Sequence, residues 1–121
     1  MILLDTSILI DLLRGDIKAK EIEKHGEPAT CFPVECELYK GTRIARKTEK
    51  GEAQVDKIVQ RTATLQSNSE AAKKFAELKQ KYSEIAEFDL MIAATCIANK
   101  ADIMTKDSDF EKIEEIDVQK I

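Results

Sequence analysis

The chain has 121 residues, a length that fits one domain able to bury a sizeable core without covalent staples. Its longest unbroken apolar run, Leu90 to Ala94, is far too short to span a bilayer. Met1 leads into Ile2-Leu3-Leu4-Asp5 with no basic start or small-residue cleavage site, so the cytoplasm is the expected location. Nineteen Lys and Arg against 23 Asp and Glu give a formal charge of −4, which does not exclude a locally basic surface. Lys40, Arg43, Arg46, Lys47 and Lys50 form the densest basic cluster, and a solvated helix face, which charge runs usually are, is the expected reading ahead of a polyanion surface. Cys31, Cys36 and Cys96 are odd in number and lack zinc-site spacing, which predicts reduced, mostly buried thiols.

From the N-terminus, Ile2 to Leu4 reads as a strand, and Ile8 to Leu13 as a short helix closed by Gly15 with Thr6 or Ser7 as N-cap. A second short helix is expected over Ile17 to Lys24 with Gly26 as its stop, and then a strand from Ala29 to Phe32. Pro33 suits the first turn of the next helix, which carries Val34, Leu38, Gly41 and Ala45 on one stripe. Gly51 is expected to separate it from a helix burying Val55, Ile58 and Val59. Thr62 to Gln66 alternates weakly as a strand, and Ser67-Asn68-Ser69-Glu70 reads as a capping box opening a helix that buries Ala71, Ala72, Phe75 and Leu78. Phe88 to Ala98 is apolar almost all round, as in a helix packed inside a domain. A buried strand from Ala101 to Thr105, a helical turn from Ser108 and a last strand near Ile116 to Val118 complete the chain. Alternating strands and helices without hairpin signals predict an α/β fold, with a parallel sheet covered on both faces.

Asp5 and Asp107 each follow a predicted strand, where the carboxyl ends of parallel strands open into a ligand crevice. Either acid alone could instead be a turn former or cap. Glu37 falls on the buried stripe of its helix, where a carboxylate needs a partner, whereas Glu35 lies at the margin. Gly41, one turn on, would leave room for a close approach to that carboxylate or the backbone. Asp89 aligns with Ile92, Ala93 and Cys96, although a first-turn acid complementing the helix dipole has the same spacing. Together the four would form a cluster of hard oxygen ligands without histidine, which suits Mg²⁺ or Mn²⁺. His25 is the sole histidine, and its place at a helix ending points to a C-terminal dipole contact rather than a nucleophilic triad. Backbone N–H groups near Thr6-Ser7 offer a weak anion site.

These residues resemble the PIN-domain nucleases, and among them the VapC-type toxins of prokaryotic toxin–antitoxin pairs. The opening Met1-Ile2-Leu3-Leu4-Asp5-Thr6-Ser7 is similar to the family's first block, Glu37-Leu38-Tyr39-Lys40-Gly41 to its E-L-x-x-G block, and Asp89-Leu90-Met91-Ile92-Ala93-Ala94 to its D-x-x-I-A-A block. Thr105-Lys106-Asp107-Ser108-Asp109-Phe110 resembles the closing T-x-D-x-D-F block. The resemblance runs the whole chain and implies a single PIN-like domain over residues 1–121, with Asp5, Glu37, Asp89 and Asp107 as metal-binding, catalytic acids and Thr6 or Ser7 as a supporting contact. It also implies an RNA substrate, homodimers and an antitoxin partner. The Ser or Thr often upstream of the second acid is replaced by the Cys31 to Cys36 stretch, and Asp109 competes with Asp107 for the last position.

The expected reaction is Mg²⁺-dependent hydrolysis of RNA phosphodiester bonds, the carboxylates positioning metal rather than attacking covalently. A silent PIN-fold module that only binds protein is one alternative. A Mg²⁺-dependent phosphatase is another, but it calls for paired acids early in the chain, and Asp5 stands alone there. The helices from Val34 to Arg61 are expected to offer an apolar surface to a second chain.

Overall fold

Three-residue apolar runs can form strands only if neighbours complete their hydrogen bonding, and the five short strands of this chain do so in one parallel sheet. The computed structural model describes residues 1–46 and 48–121, so Lys47 of the basic cluster lies outside the described residues. In chain order the elements are β1 (Ile2–Leu4), α1 (Thr6–Arg14), α2 (Ala19–Glu23), β2 (Pro28–Thr30), α3 (Phe32–Ile44), α4 (Thr48–Arg61), β3 (Ala63–Thr64), α5 (Ser69–Lys81), α6 (Glu87–Ala98), β4 (Asp102–Thr105), a 3₁₀ turn (Ser108–Lys112) and β5 (Val118–Lys120). The sheet order is β3-β2-β1-β4-β5. Right-handed crossovers then put α1 to α4 on one face and α5 with α6 on the other.

The core is aliphatic. Ile2, Leu3, Leu4, Ile8, Leu9, Leu90, Ile92, Ile103 and Met104 are fully buried, with Phe110 as the one fully buried aromatic. β1 is central and buried on both faces, as a parallel strand between two helix layers must be. α6 buries Leu90 and every residue from Ile92 to Cys96, so its nearly uniform apolarity reflects a position inside the domain. Cys31 and Cys96 are buried free thiols and Cys36 is half-buried. Burial pushes Cys31 up to about 12 and Cys96 well above its usual range, which keeps both protonated. Among the described residues no helix is long and apolar enough to cross a membrane.

Several local expectations change. Asp5, not Thr6 or Ser7, caps α1, and Gly15 ends that helix at φ +78°, a left-handed C-cap that suits glycine. β2 spans Pro28–Thr30, so Phe32 already belongs to α3. Asn68 caps α5 by accepting from the Ala71 N–H, and its Oδ1 takes the place expected for Ser67. Within that helix Ala72 is exposed and Phe75 only half-buried. The buried face of α3 runs through Val34, Leu38 and Thr42, while Gly41, Ile44 and Ala45 face outward. A side chain at Gly41 would meet nothing within 4 Å, so the close approach expected there does not occur.

The close approach falls at Gly51 instead. Gly51 does not separate two helices; it lies inside α4, where a Cβ would sit 2.9 Å from Thr42 Cβ. α4 can pack on α3 only because that atom is missing. Tyr39 donating to Asp56 and the Arg43–Glu52 pair tie the same two helices at their surface. Val55 is 3% exposed and belongs to the core, leaving Ile58 and Val59 as the half-buried apolar residues of α4.

Candidate metal centre

The direction of the crossovers reverses between β1 and β4, and in an open parallel sheet a crevice opens at the carboxyl ends of two such strands. Asp5 directly follows β1, and Asp107 lies two residues beyond β4. α3 and α6 begin at the same edge and bring Glu37 and Asp89 toward it. Four separate segments therefore deliver acids to one place, which no local pattern could do.

Asp5 is 7% exposed and held on both oxygens. Its Oδ1 accepts from the Thr6 N–H at 2.8 Å, and its Oδ2 accepts from the Thr105 hydroxyl at 2.8 Å, across 100 residues of sequence. The Thr105 oxygen in turn accepts from the Asp107 N–H at 2.9 Å. Thr6 Oγ1 donates to Glu37 Oε1 at 2.9 Å, so the first residue of α1 links the first two acids. Burial raises the Asp5 carboxyl above its usual range; the hydrogen bonds from Thr105 and Thr6 oppose this, and the charges of Glu37 and Asp107 add to it.

The other side of the crevice is built differently. Oxygens of Asp89, Asp107 and Asp109 lie within 4.8 Å of one another. Asp107 caps the 3₁₀ turn by accepting from the Asp109 N–H at 2.9 Å, which fixes both acids on one tight turn. Asp89 receives no hydrogen bond from the described residues. It is pushed up to about 6, first by burial and then by the charges of Asp107, Asp5, Glu37 and Asp109. The one ammonium that pairs with this group among the described residues is Lys112, on Asp109 Oδ1 at 2.9 Å; Lys106 turns away to pair with Asp11 on α1.

Such a surplus of negative charge fits a multivalent cation, and an all-carboxylate donor set suits a hard one such as Mg²⁺ or Mn²⁺. Asp89, Asp107 and Asp109 could hold it directly, with Asp5 and Glu37 facing it across the crevice. Asp107 and Asp109, the two acids of the last block, both lie beside Asp89.

Two expectations about polar groups need correction. The Thr6 N–H is taken by Asp5, so it is not free to bind an anion. Ser7 Oγ is buried and has no partner among the described residues, which leaves Thr6 as the residue that makes the supporting contact. Thr105 is a further residue of the crevice, which the acid motifs do not single out. Its signal is a hydroxyl in the last place of an otherwise apolar buried strand, where the oxygen needs a partner. The Cys31 to Cys36 stretch brings no hydroxyl; Cys31 lies close enough to Glu35, Asp5 and Glu37 for their charges to raise it further.

A parallel α/β sheet with a carboxylate crevice at its topological switch point defines a class of α/β proteins with a candidate cation site. The PIN domain family model matches residues 2–116, and the chain belongs to that family. No curated protein matches it in sequence. Among solved structures the chain is similar to one from VapBC2 of Rickettsia felis bound to a promoter DNA fragment, with a TM-score of 0.88, 22% identity and coverage of 100% of this chain and 99% of that one. It is similar to VapBC-1 of nontypeable Haemophilus influenzae at TM-score 0.86 and 22% identity, covering 99% of this chain and 98% of that one. DNA-bound VapBC of Salmonella typhimurium gives 0.86 at 18% identity, covering 98% and 96%.

Proposed function

We propose that this protein is a VapC-type toxin, an endoribonuclease that hydrolyses RNA phosphodiester bonds with Mg²⁺ or Mn²⁺ in the cytoplasm and is restrained by a cognate antitoxin. The observation that carries the reading is the convergence of Asp5, Glu37, Asp89 and Asp107, joined by Asp109, at the switch point of the sheet. Those first four acids are the proposed metal-binding and catalytic residues. A bound divalent cation would supply charge stabilisation to the phosphate and its leaving oxygen. Thr105 holds Asp5 and Thr6 holds Glu37, so both carboxylates keep their orientation without the cation. Lys112 can neutralise Asp109 from outside the crevice.

The antitoxin reading has its own support. A cleft of about 510 Å³ opens between α1, α2 and α4, walled by Leu12, Leu13, Ala19 and Ile58 with Arg61 at its rim. An amphipathic segment of a second chain would fill such a groove. A similar structure, VapBC-5 of Mycobacterium tuberculosis, is described as a member of the VapBC family of toxin–antitoxin systems, which favours this occupant; a homodimer is part of the same proposal.

The test is sequencing of RNA ends generated by the isolated chain and by Asp5→Asn, each in Mg²⁺, in Mn²⁺ and in chelator. Metal-dependent cuts by the wild type alone support the reading. An intact RNA pool in both metals leaves a protein-binding module as the better account.

A further inference from the structure

Lys106 lies between two residues of the crevice network: Thr105, whose hydroxyl donates to Asp5, and Asp107, which stands with Asp89 and Asp109. Its ammonium nevertheless pairs with Asp11 in the middle of α1. That pair differs from the others. The Asp11 side chain is 14% exposed, whereas every other carboxylate in an ion pair among the described residues is at least 32% exposed. A mostly buried carboxylate left without its partner is costly, so Asp11 holds its ammonium more firmly than a solvated surface pair would. Beside the pair, a cleft of about 350 Å³ is walled by Asp16 and Glu21 as well as Asp11, and Lys106 is the only Lys or Arg that lines it among the described residues.

One ammonium thus stands between two groups of acids. Asp107 is its neighbour in the chain, and consecutive Cα atoms are only about 3.8 Å apart, within reach of a lysine side chain. Asp89, Asp107 and Asp109 carry three formal negative charges, and Lys112 on Asp109 offsets one, which leaves two, the complement of a divalent cation. A second ammonium there would leave one. The affinity of a carboxylate site for a hard cation falls with its ligand charge.

We propose that Asp11 is a positioning residue for the cation site: by pairing with Lys106 it keeps that ammonium off Asp107 and Asp109 and leaves their charge to the metal. The assignment rests on the reading of the crevice as a Mg²⁺ or Mn²⁺ site and adds to it a residue that holds no metal itself. A purely structural tie between α1 and the end of β4 would matter only through stability. The two roles therefore part when both partners are removed together.

Mn²⁺ affinity at neutral pH, read from the electron paramagnetic resonance signal of the free ion, separates them. Asp11→Asn keeps the side chain's shape and releases Lys106, and its Kd for Mn²⁺ is expected to rise roughly five- to tenfold. Asp16→Asn removes a charge from the same cleft without releasing Lys106 and should stay within about twofold of wild type. Asp11→Asn combined with Lys106→Gln should return to the wild-type Kd although it lacks the pair altogether, and Lys106→Gln alone should bind at least as tightly as wild type. An unchanged Kd in Asp11→Asn, a double variant as weak as Asp11→Asn, or weaker binding by Lys106→Gln overturns the proposal and makes the pair a structural tie. A crystal structure of Asp11→Asn grown in chelator is expected to show the Lys106 ammonium within hydrogen-bonding distance of Asp107 or Asp109, and an ammonium that stays in the α1 cleft or in solvent counts against it. A wild type that binds no Mn²⁺ refutes the cation-site reading and the role built on it, while that crystal structure decides separately whether Asp11 keeps the lysine from those acids.

Discussion

The two sides of the acid crevice use the same functional group in opposite ways. Asp5 and Glu37 are held by Thr105 and Thr6, with both Asp5 oxygens occupied at 2.8 Å. Asp89 lies against Asp107 and Asp109 without a hydrogen bond from the described residues, and its carboxyl is pushed up to about 6. One side is oriented in advance; the other carries uncompensated negative charge, which the proposed cation would relieve. A preformed cation site needs both: ligands that do not have to be ordered, and enough uncompensated charge to favour binding.

The largest expected effect is on the ordered side. Asp5→Asn keeps the shape but removes a charge, and RNA cleavage should fall by more than the roughly 10–100-fold that supporting partners alone contribute. Steady-state rates at saturating Mg²⁺ measure it, and a loss under tenfold would make Asp5 a helix cap only. Next comes Thr105→Val, which strips one hydrogen bond from Asp5 and leaves the Asp107 N–H without its acceptor. A destabilisation of about 1–3 kcal/mol is expected from denaturant midpoints in chelator. An unchanged midpoint would show that the ordered side needs no such tie.

On the strained side the sign reverses. The folded Asp89 carboxyl titrates at about 6 against an ordinary 3.8, so the native state binds more protons than the unfolded chain between those values. Its contribution is fully present below about 4 and is lost as pH rises through about 6. Asp89→Asn should therefore melt higher than wild type in chelator at neutral pH, flatten that pH dependence and gain less from added Mg²⁺. Thermal melts with and without Mg²⁺ at pH 4.5 and 7 check it; a lower melting temperature in chelator with equal gain from Mg²⁺ makes Asp89 a structural first-turn acid. The smallest effect tests the boundary of the crevice. Glu35→Gln should change stability by less than about 0.5 kcal/mol and leave cleavage intact, while Glu37→Gln slows it. Equal losses would move Glu35 into the site.

Periodicity found the elements better than their faces. The helix carrying Glu37 was legible from Pro33 onward, and Val34 and Leu38 do face the core. Beyond Leu38 the buried face passes through Thr42, which packs against Gly51 of α4, rather than through Gly41 and Ala45. A glycine inside a helix looks like a breaker until the neighbouring helix is known. On α4, Val55 takes the buried place expected of it, whereas Ile58 and Val59 are only half-buried.

What the sequence by itself determined is the alternation of short apolar strands with helices, the buried character of β1 and α6, and the presence of acids just past strand ends and in the helices. These follow from local spacing and from the cost of burying polar groups, both of which are written in consecutive residues. Only the tertiary structure decided that β1 and β4 are neighbours, that Thr105 reaches Asp5, and that Asp109 joins Asp89 and Asp107. Distances between carboxylates are set by the order and handedness of crossovers, to which residues 100 positions apart contribute equally, and no window along the chain carries that information.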